Sequence, residues 1–288
     1  MKSLTAILTV LAALVVIWYV AAVWMNSGWT LAQAERAGTT VTFGEIVRDT
    51  MDQKRPRLPT PHQVADELWK TTVEKKVTSK RSLVFHGWLT LQSTLWGFAL
   101  GTALGISLAI GIVYSRVMEL SVMPWAVISQ TIPIVALAPM IIILSSSVGI
   151  EGRGFPKAII SAYLCFFPVL VGMVKGLRSP DQMQLDLLKT YGGSASVTFW
   201  KLRLPSSVPY LFTSLKIGIA AALVGTIVGE LPTGAIRGLG ARILIGDQFG
   251  NPLMIWSALF AAAILAGVLV TIFGLLQRFT LYRMGMAQ

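Results

Sequence analysis

Charge and cysteine are scarce in this chain of 288 residues, and each shortage removes a class of explanation. Asp, Glu, Lys and Arg make up 13% of the sequence and hydrophobic residues 54%, which is too little charge and too much apolar surface for a soluble globular domain. A lone cysteine, Cys165, excludes an intrachain disulfide and a cysteine-based metal site. It lies in an apolar stretch and reads as a small buried hydrophobe. The two histidines, His62 and His86, have no second ligand near them in sequence, so no metal is expected. No Gly-Lys-Ser/Thr phosphate loop occurs, and the chain is not expected to bind or hydrolyse ATP itself. Acidic residues are the rarer sign, 13 against 24 basic ones, for a net charge of +11. The bases fall in short stretches between apolar segments rather than on one amphipathic face. That pattern argues for membrane topology and against nucleic acid as a partner.

What the chain does have is long apolar sequence, with a mean hydropathy of +0.68. Crossing a bilayer takes about 20 mostly apolar residues in a helix. Six segments qualify: about Leu4 to Met25, and residues near 88–113, 121–145, 157–174, 208–230 and 253–276. The expected fold is an all-α integral membrane protein with about six transmembrane helices. The first segment is too long for a signal peptide, and no small-residue cleavage pattern follows Trp24-Met25-Asn26, so it reads as a retained helix. With a cytoplasmic N-terminus, Lys2, Arg116, Lys175, Arg178, Lys189, Lys201, Arg203, Arg278 and Arg283 lie inside, and short outer loops hold Arg153, Lys157, Arg237 and Arg242. The balance favours both termini in the cytoplasm. Residues 26–87 then lie outside with ten Lys or Arg and seven Asp or Glu, a length at which loop charge counts weakly.

That outer segment reads as a linker followed by an amphipathic piece. Asp49 to Arg57 is charged, and Pro59-Thr60-Pro61 leads into a helix-like run with Val64, Leu68, Trp69 and Val73. The second membrane segment carries Gly97, Gly101 and Gly105 four apart, with Gly111 beyond, which suits close helix packing. The third carries Pro124, Pro133 and Pro139, so a bent helix is expected. Beside Pro133, Gln130 and Thr131 either face a translocation pathway or bond helix groups of their own or a neighbouring segment.

Between the fourth and fifth apolar segments lies Asp186-Leu187-Leu188-Lys189-Thr190-Tyr191-Gly192, followed after nine residues by Leu202-Arg203-Leu204-Pro205. Asp186 can cap a helical turn, and Gly192-Gly193 allows a sharp reversal. Ser194 to Leu204 can form a second short helix that halts before Pro205. Phe199 and Trp200 are expected to be exposed as an apolar knob for a partner's groove. Two readings stand for Glu230, at the end of the fifth segment: it pairs with Arg237, Arg242 or a partner, or it marks the membrane boundary.

The spacing of the loop from Asp186 to Pro205 resembles the coupling loop of membrane subunits of type I ATP-binding-cassette (ABC) importers. The resemblance covers about residues 58–280 and is nearest the nitrate, sulfonate and taurine group. Gly229-Glu230-Leu231-Pro232 with Gly238-Leu239-Gly240-Ala241-Arg242-Ile243, the glycines of the second segment and the lead-in Leu58-Pro59-Thr60-Pro61 also look like that group. Leu187 and Leu188 depart from its usual pair of alanines.

The resemblance implies a MetI-like permease bundle in the bacterial inner membrane. An N-terminal helix (1–25), an extracytoplasmic segment (26–87) and a transmembrane domain (88–280) with a coupling loop at 181–206 would make it up. It implies a second permease chain, identical or related, two ABC ATPase subunits that bind the ATP, and an extracytoplasmic solute-binding protein. Asp186, Gly192, Gly193, Phe199, Trp200, Leu202, Leu204 and Pro205 would face the ATPase. Gln130, Thr131 and Pro133 would line the pathway, and Glu230, Arg237 and Arg242 would form an outer gate or binding-protein contact. The solute would be a sulfonate, nitrate, taurine or a pyrimidine-like or vitamin-precursor heterocycle. An ion-gradient transporter is the alternative, and Lys216 is its one candidate mid-membrane charge.

Overall fold

The computed structural model describes residues 2–150, 152, 154–232 and 237–286; Arg153, assigned from sequence to an outer loop, lies outside them. Among the described residues every regular element is helical, as expected of backbone that must bond to itself in lipid. The chain forms two compact units, one of Met1–His86 with Ala241–Ala262 and one of Gly87–Gly240 with Ala263–Gln288. Two helices run from one unit into the other: α4 (Leu83–Tyr114) and α12 (Pro252–Arg283).

The smaller unit contains α1 (Lys2–Ala37), α2 (Phe43–Asp52) and α3 (Pro61–Trp69). Sequence ends the first apolar stretch at Met25, but α1 continues for three more turns. Leu31 to Ala37 contains good helix formers, and the helix stops only at Gly38, whose φ of 64° suits glycine. The segment expected to be a linker holds α2, started by a capping box between Thr42 and Glu45. Its apolar positions Phe43, Ile46 and Val47 follow helical spacing. α3 begins as read, with Pro61 at its first turn and a Thr60–Gln63 capping box. Asn26, 1% exposed, ties this unit together: its amide donates to the Leu58 carbonyl at 2.8 Å and accepts from the Leu58 N–H at 3.1 Å. Trp18 stacks on Phe260 at 5.6 Å and donates to the Pro59 carbonyl at 2.9 Å.

The larger unit is built on α7 (Gly154–Leu177). Before it come α5 (Arg116–Ser129) and α6 (Ile134–Ser147). After it come α8 (Gln182–Thr190), α9 (Ala195–Thr198) and α10 (Leu204–Glu230). Ile160, Cys165, Val169, Leu170, Met173 and Leu177 of α7 are almost wholly buried. Small residues set the approach on both sides. A side chain at Gly101 of α4 would come within 2.7 Å of the Ala162 carbonyl, and one at Gly105 within 2.7 Å of the Phe166 carbonyl. On the other side Gly176 of α7 packs on Ser207 of α10, and Gly225 of α10 packs on the Ile160 carbonyl. Ser161 donates across this second seam to the Ala222 carbonyl at 2.9 Å.

The third apolar stretch is not one helix. α5 and α6 meet at 104° across Gln130–Pro133, because Pro133 has no N–H and disfavours helical geometry at Ile132. Among the described residues five helices are long and apolar enough to span a bilayer, or six spans if this pair counts as one. Contacts with α7 place the two ends of α5. Glu119, in the first turn of α5, bridges Arg178, just past the end of α7, at 3.0 Å, and the Tyr163 hydroxyl, midway along α7, donates to the Ser129 carbonyl at the elbow. α5 therefore starts at the face where α7 ends. α7 itself, with 24 residues, is about 36 Å long at 1.5 Å per residue.

The seam between α4 and α7 gives a direct test. Gly101→Leu forces overpacking against backbone and is expected to cost about 1–3 kcal/mol, read as a lower unfolding temperature in detergent. Gly274→Leu, at a site with nothing within 4 Å, is expected to leave it unchanged.

Candidate functional site

The polar loop between α7 and α10 is hydrogen-bonded at both ends and at its corner. Asp181 caps α8, accepting from the Gln182 N–H at 2.7 Å and forming a capping box with Gln184. Asp186, expected at the helix start, instead lies inside α8, bridged to Lys189 at 3.2 Å. The helix begins earlier because the Pro180-Asp181 start signal precedes it. At the other end the Gly193 N–H reaches the Leu188 carbonyl at 2.8 Å and the Gly192 N–H the Lys189 carbonyl at 2.9 Å. This Schellman turn needs the φ of 73° that Gly192 adopts.

The second helix does not halt at Pro205. α9 passes through a π-helical turn, Phe199–Arg203, in which the Leu204 N–H bonds the Phe199 carbonyl five residues back, and continues directly into α10. The wider turn accommodates the missing N–H and ring of Pro205 at the start of α10. Arg203 reaches back to the Leu177 carbonyl at 2.9 Å and closes the loop on the end of α7.

Four apolar side chains stand out from this loop: Met183 at 79% exposure, Leu187 at 56%, Tyr191 at 81% and Trp200 at 64%. The first three sit four apart on α8 and its cap. Met183 and Tyr191 are not singled out by the sequence reading, although their spacing with Leu187 was visible. Phe199 corrects the expected exposed pair. It is half-buried, edge-on to Tyr114 with ring centroids 6.0 Å apart, so Trp200 alone projects. Leu202, Leu204 and Pro205 are half-buried. Exposed apolar clusters on polar ground mark protein contacts.

At the elbow, Gln130 is half-buried and Thr131 and Pro133 are exposed. The Thr131 hydroxyl donates to the Ile128 carbonyl at 2.8 Å, and the Gln130 amide to the Ser129 hydroxyl at 3.3 Å. These bonds satisfy the end of α5 locally.

At the opposite end of α7 from the loop lies a buried carboxylate. Glu230, the last residue of α10, is 0% exposed. It accepts from Thr90 of α4 at 3.0 Å, from Lys157 of α7 at 3.3 Å and from the Gly240 N–H at 2.8 Å. Lys157, assigned from sequence to an outer loop, is inside α7 and 6% exposed. Gly238, at φ 130°, lies so close that any side chain there would strike the carboxylate. The Gly-Leu-Gly turn is thus wrapped around Glu230, and Lys157 also donates to the Arg237 carbonyl at 3.4 Å. Arg237 itself is exposed. Arg242 belongs to the smaller unit, in α11 (Leu239–Gln248). Burial pulls its guanidinium below the usual arginine range, against the nearby Glu67 carboxylate, which favours the cation.

Residues 101–285 match the family described as binding-protein-dependent transport system inner membrane component. The chain is 35% identical over 199 residues to the formylaminopyrimidine transport permease protein ThiX of Halalkalibacterium halodurans, covering 68% of this chain and 73% of that one. It is 30% identical over 222 residues to the riboflavin transport system permease protein RibX of Chloroflexus aurantiacus, covering 77% and 78%. It is 26% identical over 187 residues to the taurine transport system permease protein TauC of Escherichia coli, covering 65% and 62%.

Removing one partner of the buried pair tests the cage. Lys157→Met removes a buried cation that donates to the Glu230 carboxylate and is expected to lower the unfolding temperature in detergent. Adding Glu230→Gln removes the carboxylate charge while keeping an acceptor for the Gly240 N–H, and is expected to recover part of that loss.

Proposed function

We infer the function from the family to which this chain belongs, the inner membrane components of binding-protein-dependent transport systems. The chain is an ABC transporter permease, and its role is to carry solute through the membrane as one subunit of an importer. In our reading the loop at 181–206 is where a separate ATPase docks. The observation that carries this is the set of four exposed apolar side chains on a loop held by a cap, a Schellman turn and the Arg203 contact to α7.

The assembly we propose has two permease chains, identical or related, two ATPase subunits and an extracytoplasmic solute-binding protein. The loop and both termini face the cytoplasm, where ATP is. ATP binding closes the ATPases and draws the loops together. The pathway then opens outward, and hydrolysis resets it, a two-state exchange driven by the differential affinity of ATP for the two states. The elbow at Gln130, Thr131 and Pro133 lines the pathway, since a break in a membrane helix is tolerated where it faces protein or a water-filled cavity. The Glu230 cage, with Arg237, belongs to the outer side.

For the solute we favour a small nitrogen heterocycle over an oxyanion. Relatives named for a formylaminopyrimidine and for riboflavin share 35% and 30% identity, against 26% for the taurine permease. Lys157, the basic group buried in α7, is taken up by Glu230, which leaves less positive charge for an anion in the pathway.

Co-purification from the native host tests the docking reading. Trp200→Ala is expected to lower retention of the ATPase subunit by about 30-fold, the weight of a 2 kcal/mol anchor. Gly192→Val has space around it but must adopt φ 73°. It is expected to distort the turn, leaving membrane insertion intact and uncoupling ATP hydrolysis from solute uptake. Unchanged ATPase retention in Trp200→Ala would remove that residue as the anchor.

A further inference from the structure

We propose that Glu119 is a positioning residue that carries movement of the 181–206 loop to the elbow of the broken span. This rests on the docking role proposed above for that loop. Glu119 is held by two arginines of different kinds. Arg116, at 2.9 Å, is a neighbour on the same helix three residues away, whereas Arg178, at 3.0 Å, belongs to the root of the loop. Only the second contact joins two elements.

The root of the loop moves as a piece. Arg178 follows directly on α7, its N–H bonded to the Val174 carbonyl at 3.1 Å. The far end of the loop returns to the same spot through Arg203 and the Leu177 carbonyl, and Ser179 donates to the Ser206 carbonyl at 3.3 Å. Displacing the loop therefore displaces Arg178. From there the bridge enters the first turn of α5, a helix of 14 residues whose other end is held by the Tyr163 hydroxyl on the Ser129 carbonyl. α5 is tied at one end to the loop and at the other to the middle of α7, and between these ties Val122, Met123 and Ala126 rest on the apolar core around α7 through non-directional packing. A pull on Glu119 tilts it about Ser129 and changes the angle at Gln130–Pro133, which is already 104° and has no continuous helix to resist the change.

Partial exposure makes the idea testable. Side-chain exposures of 27% for Glu119 and 44% for Arg178 place the pair where an ion pair adds little to stability. Its loss should leave the fold intact and act on coupling alone.

The experiment uses the full chain with its co-purified ATPase in nanodiscs, with Val135→Cys of α6, an exposed position, carrying an environment-sensitive fluorophore. Labelling the parent chain, whose Cys165 is buried, sets the background. The probe is ATP with vanadate, which needs no knowledge of the solute. Glu119→Gln and Arg178→Gln are each expected to keep ATPase retention and hydrolysis while reducing the vanadate-induced fluorescence change by about fivefold or more, the lower end of ordinary site-to-site coupling. The double variant should be no worse than either single one, as for two halves of one contact, and Arg116→Gln should respond as the parent. An undiminished response in both single variants, or losses that multiply in the double, would overturn the proposal. Loss of the ATPase from Glu119→Gln would assign the pair to docking and overturn it too. A parent complex with no bound ATPase would instead overturn the docking reading beneath it.

Discussion

The larger unit depends on how closely backbone can approach backbone along α7. In lipid the hydrophobic effect gives helices no reason to associate, so packing contact and interhelical hydrogen bonds must supply one. Gly101 and Gly105 of α4 meet the carbonyls of Ala162 and Phe166, and Gly225 of α10 meets the carbonyl of Ile160. α7 is thus gripped from two sides by helices that come in almost to the main chain. With these three registers fixed, the polar loop emerges at one end of α7 and the Glu230 cage closes at the other. The elbow is pinned between them at Tyr163.

Much of this was legible in the sequence, and the reason differs from feature to feature. The glycines of α4 announced a seam because their period of four matches a helical face. The helix start at Pro61 and the turn at Gly192-Gly193 were readable because a helix's first turn accepts proline and left-handed backbone favours glycine. What failed were inferences in which one local rule met another. Pro205 reads as a stop, but a π-helical turn absorbs it and the helix runs on. Asp186 reads as a cap, but Asp181 took that role first. Phe199 and Trp200, adjacent and alike, separate because only Phe199 faces Tyr114. Such outcomes are set by tertiary neighbours, which spacing along the chain does not reveal.

Charges were misread for the same reason. Lys157 lies near the end of an apolar run, and counting topology by short-loop charge assigns it to water. It is instead buried opposite Glu230, 73 residues away in sequence. A lysine and a glutamate so far apart carry no pairing signal in a single sequence. The cage does explain a pattern that the sequence only displayed. The Gly-Leu-Gly turn needs glycine at 238 because the carboxylate occupies the space of a side chain, and the Gly240 N–H then becomes one of its donors. Burying an ion pair seldom stabilises a protein over an apolar equivalent. Its more defensible effect here is to specify one arrangement of three helix ends and a turn.

Continuity of helix at the loop bears on what the loop can do. A true break at Pro205 would have left a flexible joint between the exposed face of α8 and the membrane-crossing α10, and displacement of the loop would be lost in bending it. The π-helical turn keeps the hydrogen-bond ladder intact through Phe199–Arg203, so α9 and α10 act as one rod of about 50 Å at 1.5 Å per residue. The rod is anchored at its far end by the Glu230 cage and at its near end by Arg203 on α7. The third apolar stretch is the opposite case, two short helices bent by 104°, where the N–H groups of Gln130, Thr131 and Ile132 bond three residues back and Pro133 has no N–H to continue the ladder. Stiffness is thus concentrated in α10 and compliance in the elbow. When the same loop is tied to both, through Arg203 and through the Arg178–Glu119 bridge, the compliant element is the one that must yield.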